Sequence, residues 1–173
     1  MRPVLLLTGL AIALGGCASD PKRGYAFSST HSTAVRSVAV PIFDNQSYQK
    51  GMEVELTDAI IKEIQRTTPW VVVQGNAGGG AQTTLTGSIT EASLRSLTTN
   101  SQTGMVQEMG LELSVDFDWR DARTGQYLVS RRNFRVMETF VPARPANERL
   151  ELGGHAAVQE MARDIVAELR SSW

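Results

Sequence analysis

The 173-residue chain contains one cysteine, two histidines and no apolar run long enough to span a bilayer as a helix. A single cysteine leaves no disulfide partner within the chain, so the fold must stand on its hydrophobic core. His31 and His155 are far apart in sequence and no Cys/His cluster accompanies them, which argues against a transition-metal site of ordinary ligand spacing. Basic and acidic residues nearly balance, 17 against 18, so the basic excess expected of a nucleic-acid binder is missing. No serine lies in a Gly-x-Ser-x-Gly elbow. The one glycine-rich stretch, Asn76 to Ala81, is followed by Gln82-Thr83-Thr84 and strand-like spacing, without the Lys-Ser/Thr pair and helix of a phosphate-binding loop. No catalytic residues, metal or bound cofactor are therefore expected.

What is present begins at the amino terminus. Met1-Arg2 carries one positive charge, Pro3 to Leu14 is apolar, and Gly15-Gly16-Cys17 follows. The apolar run is about 12 residues, short of the ~20 that a transmembrane helix needs, and reads as a cleavable signal peptide over residues 1–16. Leu14-Gly15-Gly16-Cys17 resembles the lipobox of bacterial lipoproteins. That resemblance implies a diacylglyceryl group on the Cys17 thiol, cleavage before Cys17, and acylation of the new terminal amine. Two or more acyl chains hold a protein stably on a membrane, whereas one does so only marginally. Ala18 stands where an aspartate would retain an enteric lipoprotein at the inner membrane, so the outer membrane is the expected location. Residues 17–35 are read as lipidated terminus and polar tether, interrupted by Gly24-Tyr25-Ala26-Phe27, and residues 36–173 as one domain.

Within that domain the hydrophobic period changes along the chain. Ser37 to Phe43 alternates as a strand, and Asp44 to Ser47 reads as a turn. From about Lys50 to Arg66, Met52, Leu56, Ala59, Ile60 and Ile64 recur at helical spacing, and Thr68-Pro69 stops the run. Trp70 to Gln74 is a short strand. Thr83 to about Leu94 is another, with Leu85 and Ile89 inward and a phase change to Ala92 and Leu94 that suggests a bulge or twist. Ser96 to Gly104 reads as a polar loop. Met105 to Trp119 alternates most cleanly, with Leu111, Leu113, Val115, Phe117 and Trp119 on one face and Glu112, Ser114, Asp116 and Asp118 on the other. Arg120 to Gly125 is a hairpin connection, and Gln126 to Val141 returns with a broken pattern, either covered on both faces or shifted by a bulge. A terminal helix, from about Asn147 or after Gly153-Gly154, carries Val158, Met161, Ala162, Ile165 and Leu169. Striped helices and a one-faced sheet must pack on each other. The expected fold is an α+β two-layer sandwich, two helices on one face of a mostly antiparallel four- to five-stranded sheet, with the other face polar unless a partner covers it.

Two constellations on that sheet could carry chemistry. Asp116 and Asp118 share a face and could form a carboxylate pair, though a solvated strand face explains them more simply. Arg95, Arg131 and Arg135 could bind phosphates, with Arg131 and Arg135 on one face of the last strand and Arg132 on the other. Ion pairs with Glu108, Glu112 or Asp116 account for the same arginines.

Taken together, the chain resembles the LPS-assembly lipoprotein (LptE) family. The resemblance rests on Gly24-Tyr25-Ala26-Phe27, on Val38 to Asn45, on Gly51 to Thr57, on Leu85-Thr86-Gly87-Ser88-Ile89, and on Asp121-Ala122-Arg123-Thr124-Gly125. It implies two helices on a four-stranded sheet and a non-enzymatic role. It also implies a lipid-anchored place at the periplasmic side of the outer membrane, plugging a large β-barrel (LptD) and assisting delivery of lipopolysaccharide. Direct contact with lipopolysaccharide is assigned to Arg95, Arg131 and Arg135 as candidates only. The alternative is a lipid-anchored regulator or scaffold of another envelope machine.

Overall fold

A computed structural model describes residues 35–73, 80–99, 102, 106–140 and 146–171. Residues 1–34, with the signal peptide, Cys17, the tether and His31, lie outside them, as do residues 74–79 of the glycine-rich loop. The elements are β1 (Ser37–Ala39), β2 (Asp44–Asn45), α1 (Met52–Thr67), β3 (Val71–Val73), β4 (Thr83–Thr99), β5 (Val106–Asp121), β6 (Tyr127–Phe140) and α2 (Ala146–Ser171). The sheet runs β3-β1-β4-β5-β6, with β2 also pairing to β4. The long strands β4, β5 and β6 are antiparallel neighbours, while β1, β2 and β3 join in parallel. This is the expected α+β sandwich with six strands. The additional strand is β2, two residues that the sequence pattern marks as a turn. The polar run after Ser96 is also longer in the sheet than expected, since β4 continues to Thr99.

The stripe read from the helical period is the buried face of α1: Met52, Leu56, Ala59, Ile60 and Ile64 are all inside. They share one core with the odd-numbered residues of β5, of which Leu111, Leu113, Val115 and Trp119 are fully buried. Val158, Met161, Ala162, Ile165 and Leu169 of α2 complete the layer. α2 lies across β5 and β6 and packs against α1. Gly153 falls inside α2, which starts at Ala146, the earlier of the two expected starts. A Cβ at Gly153 would come within 2.7 Å of the Phe140 ring, so the glycine lets the helix settle on β6.

Two bulges explain the broken strand patterns. In β4 the register shifts between Ile89 and Glu91, which turns Ala92 and Leu94 to the helix face, opposite Leu113 and Leu111. In β6, Arg132 and Asn133 together face Asp116, and Asn133 has φ 54°. Asparagine tolerates that left-handed conformation better than most residues. The bulge resolves the two readings of the last strand: Val129, Phe134 and Val136 all reach the helix face, with Phe134 edge-on to Phe117 at 5.5 Å. Gly125, at φ 72°, closes the β5–β6 turn as expected. Asp121 Oδ1 accepts hydrogen bonds there from the backbone N–H of Arg123 and Thr124.

Candidate functional site on the open sheet face

The face of β4, β5 and β6 turned away from the helices carries the charged residues singled out from the sequence. It divides into two clusters along β5. At the first, Glu112 is only 6% exposed, although it sits on the uncovered face. Arg95 from β4 reaches one carboxylate oxygen at 2.9 Å, and Arg135 from β6 reaches the other at 3.2 Å. The diagonal cross-strand positions bring both guanidinium groups over the same side chain. Gly110 follows along the strand, with Leu97 and Met137 closing over it from either side.

The second cluster surrounds Asp118. Arg132 binds it through two parallel hydrogen bonds, 2.9 and 3.0 Å, and the Ser130 hydroxyl donates to it at 2.6 Å. Asp116 accepts the backbone N–H of Asn133 at 2.7 Å. The bulge thus makes Asp116 its own cap and swings Arg132 over Asp118. A shallow depression of about 260 Å³ lies here, lined in part by Thr86, Ser88, Asp116, Asp118 and Arg132. Farther along, the Arg120 guanidinium stacks on the Tyr127 ring at 4.8 Å.

Arg131 does not join this face. It pairs with Glu168 of α2, on the helix side of the sheet. The expectation that Arg131 and Arg135 share a face is therefore corrected: Arg132 and Arg135 share it, because the extra residue at Asn133 inverts the alternation. Strict period-two counting could not find this. An asparagine within a run of arginines was the available signal, since it is among the few residues that accept the bulge conformation.

Asp116 and Asp118 do lie side by side, but Asp118 is held as an anion. Burial by itself would raise the Asp118 pKa. Hydrogen bonds from Arg132 and Ser130, with the charges of Arg132 and Arg120, outweigh it and hold the group below the usual aspartate range. A carboxyl acting as general acid needs the opposite shift. Because the folded-state value is depressed, the stability that Asp118 contributes is complete above the unfolded value of about 3.9 and is lost as pH falls through the lower, folded one. Asp118→Asn should therefore flatten the loss of stability on acidification below about pH 4, read by urea denaturation at pH 5 and pH 3. An unchanged slope would show that the pair adds nothing to folding. Asp121 and Glu53 are lowered in the same direction, so the slope should be reduced and not removed.

Among the described residues no three His, Cys, Asp or Glu side chains are grouped to hold a metal ion. His155 Nδ1 instead meets Glu55 Oε1 at 2.5 Å, linking α2 to α1. Asn45, which opens an Asn-Gln-Ser sequence, spends its side-chain N–H groups on the Gln49 carbonyl and the Glu53 carboxylate. Among the described residues no helix is long and apolar enough to cross a membrane.

A profile of the LptE family, described as lipopolysaccharide-assembly, matches residues 35–172. No curated protein matches the chain in sequence. Solved structures share its fold. A candidate lipoprotein from Caulobacter crescentus is 19% identical, with a TM-score of 0.52, covering 75% of this chain and 88% of that one. A hypothetical protein from Chlamydia trachomatis is 10% identical, TM-score 0.55, covering 80% and 97%. A minor lipoprotein from Acinetobacter baumannii is 13% identical, TM-score 0.52, covering 80% and 94%.

Proposed function

Because this chain belongs to the LptE, lipopolysaccharide-assembly family, we propose that it is a non-enzymatic outer-membrane lipoprotein that plugs an LptD-type β-barrel from the periplasmic side and assists delivery of lipopolysaccharide. The observation that carries this reading is the open sheet face. It is long and largely polar, and its two least exposed acids are paired in place: Glu112 with two arginines, Asp118 with Arg132. The lumen of a large barrel is wet and polar, so a plug needs a hydrogen-bonding surface. Cys17 carries the anchor in this reading, through its diacylglyceryl and N-acyl groups. Affinity purification from detergent extracts should bring down a large outer-membrane barrel in near-stoichiometric amount, and mass spectrometry should find Cys17 as a triacylated amino terminus. A chain purified alone with an unmodified terminus would overturn the reading.

Arg95 and Arg135 are the residues proposed to meet lipopolysaccharide phosphates. Their side chains remain 57% and 51% exposed while each uses part of its donor fork on Glu112. The paired change Arg95→Ala/Arg135→Ala should weaken capture of purified lipopolysaccharide several-fold and leave barrel co-purification intact. Equal capture by the variant would remove both arginines from lipid contact. Arg131, held by Glu168 on the other side of the sheet, is not part of this proposal.

A further inference from the structure

Glu112 is buried on a sheet face that is turned away from the helices. One of its carboxylate oxygens meets Arg95 of β4 at 2.9 Å, and the other meets Arg135 of β6 at 3.2 Å. Both guanidinium groups stay more than half exposed, and the Arg135 Nε–H also donates to Asn133 Oδ1 at 2.8 Å. A carboxylate set between two guanidinium forks has the charge and oxygen geometry of a bound anion. Glu112 thus holds the position that an anionic ligand of these two arginines would take. Two hydroxyls beside it have no hydrogen-bond partner. Ser93 stands directly across from Glu112 on β4, and Ser114 is the next residue on the same face of β5. Ser114 is 1% exposed. Buried hydroxyls normally have a partner. These two are donors within the Glu112 cluster, able to turn to the carboxylate when an arginine leaves it.

We propose that Glu112 is a built-in competitor, which makes the Arg95 and Arg135 pair select a lipid phosphomonoester over a lipid phosphodiester. This rests on the reading that the two arginines meet lipid phosphates, and adds which phosphate they admit. A phosphodiester headgroup carries one negative charge, as the Glu112 carboxylate does. Exchanging one for the other gains little attraction and leaves a buried carboxylate without its cations, which is strongly unfavourable. A phosphomonoester carries a charge of about −1.5 to −2 near neutral pH and offers three acceptor oxygens. It can therefore displace Glu112 where a diester cannot. Selectivity of this kind comes from a repulsive element built into the site as well as from the attractive one. Leu97 and Met137 lie on the same face, over Gly110, 43% and 50% exposed. They give apolar surface to the chains of a lipid whose phosphate sits on the arginines.

The test is binding to the full chain in mild detergent of two short-chain lipids with the same acyl chains. Dihexanoyl phosphatidic acid is the monoester, and dihexanoyl phosphatidylglycerol is the diester. The unaltered chain should bind the monoester at least about tenfold more tightly. Glu112→Gln should cut that ratio to about threefold or less, mainly by tightening the diester. Glu91→Gln removes the same charge from the same face, at an exposed residue with no ion pair among the described residues, and should leave the ratio unchanged. Glycerol 3-phosphate, the headgroup without chains, should bind at least about tenfold more weakly than phosphatidic acid. Equal affinity of the unaltered chain for the two lipids would overturn the proposal, and no variant can spoil that measurement. A ratio that Glu112→Gln moves no more than Glu91→Gln does would also overturn it. In that case loss of monoester binding in Arg95→Ala/Arg135→Ala would leave the arginines as the lipid contact, and only the role of Glu112 would fall. Undiminished monoester binding by that double variant would instead remove the reading on which the proposal rests. Equal binding of glycerol 3-phosphate and phosphatidic acid would overturn the assignment to a lipid.

Discussion

Gly87→Ala should destabilise the domain by about 3 kcal/mol or more, at the top of the range for overpacking a core. Gly87 lies in β4 between Leu85 and Ile89, opposite Phe117, on the helix face. The Phe43 ring rests where its side chain would be. A Cβ there would stand 2.3 Å from Phe43 Cε1 and 2.7 Å from the backbone oxygen of Asp116. The ring could shift, but the Asp116 oxygen belongs to a strand paired on both sides and cannot. Phe43 is itself 2% exposed, and its N–H donates to the Thr57 hydroxyl of α1 at 3.0 Å. One added methyl group therefore presses on the contact that joins β2, α1 and β4. Urea denaturation gives the test. A midpoint within error of the unaltered chain would refute the close approach. Phe43→Ala alone should cost about 3–5 kcal/mol, and the double change should cost less than the sum because the two residues share one volume.

Trp119→Ala should cost about 3–5 kcal/mol, a large part of the 5–15 kcal/mol typical of a domain. Trp119 is fully buried on β5, with its ring 5.2 Å from that of Trp70. Trp70 comes from the segment entering β3, at the far edge of the sheet, so the pair ties the parallel side to the antiparallel side. Trp119→Phe keeps most of the buried area and should cost far less. The same strand presents Asp118 on its other face, so loss of Trp119 should also loosen the Asp118–Arg132 pair. Comparable stability for the alanine and phenylalanine variants would mean that the site collapses around the gap and that the ring contact matters little.

Among the described residues, the fragments that carry the family resemblance turn out to be structural. Phe43 stands just before β2, Thr57 lies in α1 and Gly87 in β4, and they meet at one point in the core. Asp121 to Gly125 is a turn whose aspartate satisfies two backbone N–H groups. These short motifs hold the scaffold together; Thr86 and Ser88 reach the open face, but none of the motifs supplies its charged clusters. The charged clusters of that face come from positions between the motifs, which is why the resemblance placed the fold better than it placed any contact residue.

The hydrophobic periods by themselves determined the helices, the three long strands and which stripe of each helix is buried, because a period is a local property of consecutive residues. Composition likewise set the absence of disulfides and of a Cys/His metal cluster. Tertiary structure alone decided the strand order, the face on which Arg131, Arg132 and Arg135 each stand, the burial of Glu112 between two arginines, and the two glycines on which Phe43 and Phe140 rest. Each of these depends on register between segments tens of residues apart. A single bulged residue at Asn133 inverts the alternation of everything after it, and no count along one strand contains that information.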